Sequence, residues 1–234
     1  MRYQMVIFDW DGTLVDSEAR IVACMQAAAR DVGCPALSRD SIRDIIGLGL
    51  PEAIAQLYPG VEPGQAEALR QRYSGHFVSA DQVPTAFFPG VATGMARLRG
   101  AEGLKLAVAT GKSRRGLDRA LASTGSREWF HASRTADETR SKPDPRMLEE
   151  LLAEAGVAPG AALMVGDTEY DMQMARALGI DRLAVTYGVH SRERLAACEP
   201  IYTATCFAEV IDWLHADLDS VGPRAIKAGA CDER

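Results

Sequence analysis

The chain has 234 residues, 47% of them hydrophobic, with 26 Lys and Arg against 32 Asp and Glu and a formal charge of −6. That is enough apolar matter for a sizeable core, in one domain with an insertion or in two small ones. The acidic balance argues against a partner such as nucleic acid or a membrane surface, which would want a basic face, and no stretch approaches the length of a membrane span.

The first element is the apolar run Met5-Val6-Ile7-Phe8, which reads as a buried strand. Asp9-Trp10-Asp11-Gly12-Thr13 follows at once, so two acids stand where the chain turns away from the strand. Two carboxylates at the carboxyl end of a strand repel each other unless a cation lies between them or one holds a proton.

A helical stretch comes next. Ala19 to Val32 is alanine-rich with apolar residues at helical intervals, Ser38 can cap Ile42-Ile45-Ile46, and Gln65 to Phe77 follows Pro63-Gly64. The turn pattern returns at Phe87-Phe88-Pro89-Gly90, ahead of helix Val91–Arg99 and strand Lys105–Thr110. Roughly 75 residues between two strands exceeds what a single crossover helix needs. Beyond that point strands and helices alternate: helix Arg114–Ala122, helix Arg146–Ala155, strand Leu163–Val165, helix Met172–Leu178, strand Arg182–Val185 and helix Phe207–Leu214. Such alternation predicts an α/β fold, a parallel sheet with helices on both faces.

Three further groups stand at predicted strand ends or helix starts. Thr110-Gly111 ends the second strand, where a hydroxyl and freed N–H groups can cradle a phosphoryl oxygen. Lys142 lies in Ser141-Lys142-Pro143-Asp144-Pro145, with Asp144 the expected N-cap and Pro145 the first helical residue. Gly166-Asp167 ends another strand, and Asp171 follows one helical turn on. Carboxylate oxygens of this kind suit Mg²⁺, which keeps several of its waters.

As an ordered set, Asp9-x-Asp11-Gly-Thr, Thr110, Lys142 and Gly166-Asp167-x-x-x-Asp171 resembles the four signature motifs of the haloacid dehalogenase superfamily. Phe8-Asp9-Trp10-Asp11-Gly12-Thr13-Leu14-Val15-Asp16-Ser17 is most similar to its phosphoglycolate phosphatase-like subgroup, and the likeness runs from about Met5 to Leu214. Trp10 stands where a leucine is usual and Gly111 where an asparagine is common. The resemblance implies a doubly wound, Rossmann-like parallel-sheet core with an inserted helical cap. Residues 1–15 and 89–218 would form the catalytic core, 16–88 the cap and 219–234 a flexible tail.

The resemblance also implies a Mg²⁺-dependent phosphatase acting on a small phosphorylated metabolite through an aspartyl-phosphate. Asp9 would be the nucleophile and Asp11 the general acid and base; Thr110, Gly111 and Lys142 would hold the substrate phosphate. Mg²⁺ would be held by Asp9, the Asp11 backbone carbonyl and Asp167, with Asp171 orienting a metal-bound water. A phosphomutase or pyrophosphatase of the same superfamily is the alternative, whereas Asp11 disfavours a dehalogenase and the long insertion disfavours a receiver-like phospho-acceptor module.

Other features read blandly. Cys24, Cys34, Cys198, Cys206 and Cys231 form no CxxC pair, which predicts reduced thiols in a cytoplasmic protein, as monomer or homodimer. His76, His131, His190 and His215 lack zinc-ligand spacing, and the acids Asp9 and Asp11 interrupt the only early apolar run that a leader peptide would use. Arg20, Arg43, Arg70 and Arg72 read as solvated helix faces ahead of ligands for a substrate carboxylate, and Trp10, Trp129 and Trp213 as core aromatics. Gly47-Leu48-Gly49 fits a substrate-facing loop and a helix end equally well.

Overall fold

A computed structural model describes residues 2–80 and 85–216. Cys231 and the tail expected at 219–234 lie outside the described residues.

Six parallel strands form one sheet in the order β3-β2-β1-β4-β5-β6. They are β1 (Met5–Phe8), β2 (Lys105–Thr110), β3 (Ala132–Thr135), β4 (Ala162–Gly166), β5 (Asp181–Val185) and β6 (Tyr202–Ala204). β1 lies at the centre, between β2 and β4, and all four of its residues are buried. With both faces covered it carries a continuous apolar run instead of an alternating one. Val6 and Phe8 face one core layer, Met5 and Ile7 the other. On the first face pack α5 (Val91–Arg99), α6 (Arg114–Thr124) and α10 (Phe207–Ala216); on the second, α7 (Arg146–Ala155) and α8 (Glu169–Ala177). This is the expected doubly wound core.

The strand order reverses between β1 and β4. In open α/β sheets that reversal leaves a crevice at the carboxyl ends of the strands, where ligands bind. The register sets Phe8 beside both Val108 and Val165, so Asp9, Thr110 and Asp167 emerge within a residue or two of one level.

The segment after β1 forms α1 (Glu18–Asp31), α2 (Arg39–Asp44), α3 (Leu50–Leu57) and α4 (Pro63–Ala80). These helices enclose an apolar cluster of their own, including Met25, Ile42, Ile46, Ile54 and Leu69. The chain leaves and rejoins the sheet through paired extended segments: Asp16 N–H donates to Ala86 O at 3.0 Å and Phe88 N–H to Leu14 O at 3.0 Å. Trp10 is buried against Phe87 and Phe130 at this junction, turned away from the acids on either side of it.

Several boundaries differ from the sequence reading. β3 and β6 were not expected: both lie at sheet edges, are short, and lack a buried apolar run. α3 and α9 (Arg192–Ala196) are likewise short additions. α8 starts at Glu169, three residues before the expected Met172, because Thr168 caps it. Pro145, not Asp144, takes the N-cap position of α7, although Asp144 Oδ1 still accepts the Arg146 N–H at 3.0 Å.

Candidate active site

The site is assembled from loops that leave the carboxyl ends of adjacent strands. Asp9 continues β1 by one residue, with its N–H on Val165 O at 3.0 Å, and is fully buried. Asp167 follows β4 directly. Asp171 belongs to the capping box that starts α8: its Oδ2 accepts from Thr168 N–H at 3.1 Å and from Thr168 Oγ1 at 2.7 Å. The three carboxylates bring oxygens within 4.8 Å of one another, and all three residues are buried. Lys142 arrives from the loop between β3 and α7. Its Nζ lies 2.7 Å from Asp9 Oδ1 and 2.6 Å from Asp171 Oδ1, with no solvent exposure of its side chain.

The remaining oxygens show how the set is held. Asp167 Oδ1 accepts from Thr13 Oγ1 at 2.8 Å and its Oδ2 from Val189 N–H at 2.9 Å. Gly12, at φ 84°, and Gly188 press their backbones against that carboxylate, where a Cβ on either would overlap it. Asp9 Oδ2, by contrast, is buried without a hydrogen-bond partner. With Lys142 on Oδ1, it is the oxygen of this carboxyl left to meet a cation.

Charge decides what this arrangement needs. Burial pushes the Asp9 carboxyl well above its usual value; Lys142 opposes that, and Asp171 and Asp167 add to it. Burial, then the Asp171 charge, likewise pushes Asp167 up to about 7, against the hydrogen bonds from Val189 and Thr13. Burial alone would lower Lys142, but Asp171 and Asp9 together outweigh it and keep the ammonium charged. Three carboxylates against one ammonium leave a deficit of positive charge in a dry site. The donors are all hard oxygens, one of them unpartnered, and this set fits a hard divalent cation.

Asp11 stands apart from the triad. Its Oδ1 accepts from Ser17 Oγ at 2.6 Å, and its Oδ2 lies 3.0 Å from Lys112 Nζ. Lys112 also sits 4.7 Å above the Phe77 ring of α4. Thr110 is fully buried and its Oγ1 accepts the Lys112 N–H at 3.2 Å, so the hydroxyl proton is its remaining donor. The sequence reading missed Thr13, Ser17, Lys112 and the Val189 N–H. Ser17 and Lys112 lie close to the motifs and carry the right chemistry, whereas a distant backbone donor leaves no trace in sequence.

Gly111 has a structural role that its place in the sequence did not suggest. The loop Gly47-Leu48-Gly49 rests directly on it, and a Cβ at Gly111 would overlap the carbonyl oxygens of Leu48 and Gly47. The Gly49 N–H donates to Ser141 Oγ at 2.7 Å, beside Lys142. The helical segment is fastened at a second place, where Asp44 accepts from Arg194 and its carbonyl accepts from Tyr170 Oη at 2.8 Å. Of the four arginines considered, Arg43 pairs with Glu18, Arg70 with Glu67, Arg20 lies over Phe77, and Arg72 is exposed.

The family profile of haloacid dehalogenase-like hydrolases matches residues 6–185. The chain belongs to that family. It is 37% identical over 216 residues to the probable phosphatase IndB of Dickeya dadantii, covering 91% of this chain and 94% of that protein. It is 33% identical to the phosphoglycolate phosphatase of Synechococcus elongatus, covering 84% and 90%. Among solved structures, a hydrolase from Pseudomonas syringae aligns over 91% of this chain and 97% of its own with a TM-score of 0.82 at 22% identity, a likeness of fold. Among the described residues no helix is long and apolar enough to cross a membrane.

Two outcomes follow from this haloacid dehalogenase-like geometry. In the cation-free protein the folded state retains the Asp167 proton up to about pH 7, while an unfolded chain releases it near 3.8. The contribution of Asp167 to stability is therefore full below about pH 4 and lost as pH rises through 7. A divalent cation held by Asp167 would have to displace that proton, so its affinity, measured by calorimetry with Mg²⁺ as the probe, should fall about tenfold per pH unit below 7. A pH-independent affinity between 5.5 and 8 would remove Asp167 from the ligand set.

Gly111→Ala should lift the 47–49 loop from the core. Overpacking against backbone costs about 1–3 kcal/mol, so amide exchange at Leu48 and Gly49 should quicken about tenfold while β1 amides keep their protection. Unchanged exchange at Leu48 would show that the loop does not rest on Gly111.

Proposed function

We propose that this hydrolase is a Mg²⁺-dependent phosphatase that cleaves a small phosphate monoester through an aspartyl-phosphate on Asp9. The observation that carries the reading is the unpartnered, buried Asp9 Oδ2 at the reversal of the strand order, with Lys142 against the other oxygen of the same carboxylate. Asp9, Asp167 and the Asp11 backbone carbonyl would hold the cation, and Asp171 would reach it through a water, since its own oxygens already serve Thr168 and Lys142. Bound there, Mg²⁺ supplies positive charge between the Asp9 carboxylate and the phosphoryl oxygens.

The chain's own groups do the rest. Lys142 keeps Asp9 anionic and offsets charge on the transferring group, Thr110 donates its hydroxyl proton to a phosphoryl oxygen, and the N–H groups of the Gly111 turn line the same side. An Asp9 oxygen attacks phosphorus, and the bond to the leaving oxygen breaks as Asp11 protonates it. Water then attacks the acyl phosphate, Asp11 takes its proton, the phosphorus–Asp9 bond breaks, and inorganic phosphate leaves. Ser17 and Lys112 fix the Asp11 carboxylate for both proton transfers. Residues 16–88 act as the lid over the core formed by 1–15 and 89–218, excluding bulk water and limiting the leaving group to a compact one. Relatives named phosphatases support the reaction class and make phosphoglycolate a reference substrate.

Asp9→Asn should lower kcat for phosphate release by about a thousandfold or more, because an amide cannot form the acyl phosphate. The far-ultraviolet circular dichroism should stay that of the parent protein. Turnover within tenfold of the parent at unchanged dichroism would remove Asp9 as nucleophile.

A further inference from the structure

The space between the helical segment and the sheet is larger than a two-carbon acid requires. A cavity of about 280 Å³ opens from Asp9, Asp11 and Thr110 toward α1, α3 and α4. Its helical wall is made by Ile21, Met25, Ile46, Leu48, Tyr73 and Phe77. The helical segment's charged contributions to the lining, Arg70 and Glu52, are solvent-exposed, and Arg70 is held by Glu67 through two hydrogen bonds of 2.7 and 2.6 Å. Lys112 and Arg119 stand on the core side of the lining, and Lys112 is engaged by Asp11 and by the Phe77 ring. A two-carbon acid would leave the apolar helical wall uncovered, whereas a ring-bearing body would fill it.

We infer that the substrate is the phosphate monoester of an alcohol with an apolar, ring-bearing body, held by Met25, Ile46, Tyr73 and Phe77, rather than that of a two-carbon hydroxy acid. The inference rests on the phosphatase reading and narrows it. Tyr73 and Phe77 stand one helical turn apart with ring centroids 5.7 Å from each other, and they present a continuous aromatic wall. Met25 and Ile46 close the cavity with flexible and branched aliphatic surface. Burial, and then the Asp11 charge, push the Tyr73 hydroxyl well above its usual value, so it stays neutral and offers the leaving group one uncharged polar contact. Binding of this kind favours the ring through KM, because apolar contacts are made alike in the ground and transition states.

The test compares benzyl phosphate, 2-phosphoglycolate and acetyl phosphate in steady state with Mg²⁺. The first two carry alkoxide leaving groups, so their ratio reads the cavity more than the chemistry; acetyl phosphate leaves without help from it. Benzyl phosphate should exceed phosphoglycolate in kcat/KM by at least about tenfold, chiefly through KM. Tyr73→Ala should lower kcat/KM for benzyl phosphate at least about fivefold more than for acetyl phosphate. Equal or better use of phosphoglycolate, with acetyl phosphate hydrolysed, would overturn the inference and leave the phosphatase reading standing. Equal losses in Tyr73→Ala would overturn the assignment of the aromatic wall. Failure to hydrolyse any of the three would overturn the phosphatase reading and the inference with it.

Discussion

Everything near the carboxyl edge of the sheet answers one constraint: Asp9, Asp167 and Asp171 are buried together and the protein supplies a single ammonium, that of Lys142, inside the cluster. An uncompensated buried charge costs several kcal/mol, so burial and mutual repulsion push the Asp9 and Asp167 carboxyls up, and Lys142 offsets only part of the deficit. A divalent cation held by these carboxylates would offset the rest of the deficit and favour the anionic form of Asp9. A phosphate dianion would deepen the deficit, so the same cation would serve the substrate's charge as well.

The fold makes that constraint bearable by spending backbone on it. β1 is buried on both faces and bonded on both edges, so Asp9 extends from a strand held at the centre of the sheet. Thr13 and the Val189 N–H fix Asp167, while the capping box fixes Asp171, using donors that helix and loop geometry leave over in any case. Flexible side chains would have had to be ordered for the same purpose. Here most of the ordering is already done by the sheet and by the start of α8.

The same distinction governs what the sequence could say. Elements with continuous apolar runs, β1, β2, β4 and β5, were legible because a fully buried strand has no polar face to confuse it. β3, with the sequence Ala-Ser-Arg-Thr, and β6, Tyr-Thr-Ala, were not, because edge position relaxes the demand for apolar residues. Ser38 announced α2 correctly through its side-chain cap, and Thr168 would have announced the true start of α8 had it been weighed against Asp171. The convergence of Lys142 on Asp9 spans more than a hundred residues and followed only from the ordered motifs. The Lys112–Asp11 pair and the seating of the 47–49 loop depend on tertiary placement that no local pattern encodes.

The turn Thr110-Gly111-Lys112 joins the chemistry to the lid. Thr110 lines the cavity beside Asp9, Gly111 takes the Leu48 carbonyl at backbone distance, and Lys112 bridges Asp11 to the Phe77 ring. The departure from asparagine at Gly111 is thereby explained: any Cβ there would hold the 47–49 loop away. Phe77 belongs to the wall that the leaving group would touch, and Lys112 holds the carboxylate that would protonate it. A leaving group that seats the loop and fills the wall therefore sets the general acid as well. One that leaves the wall empty would forgo those apolar contacts, so selectivity here would be read chiefly in binding.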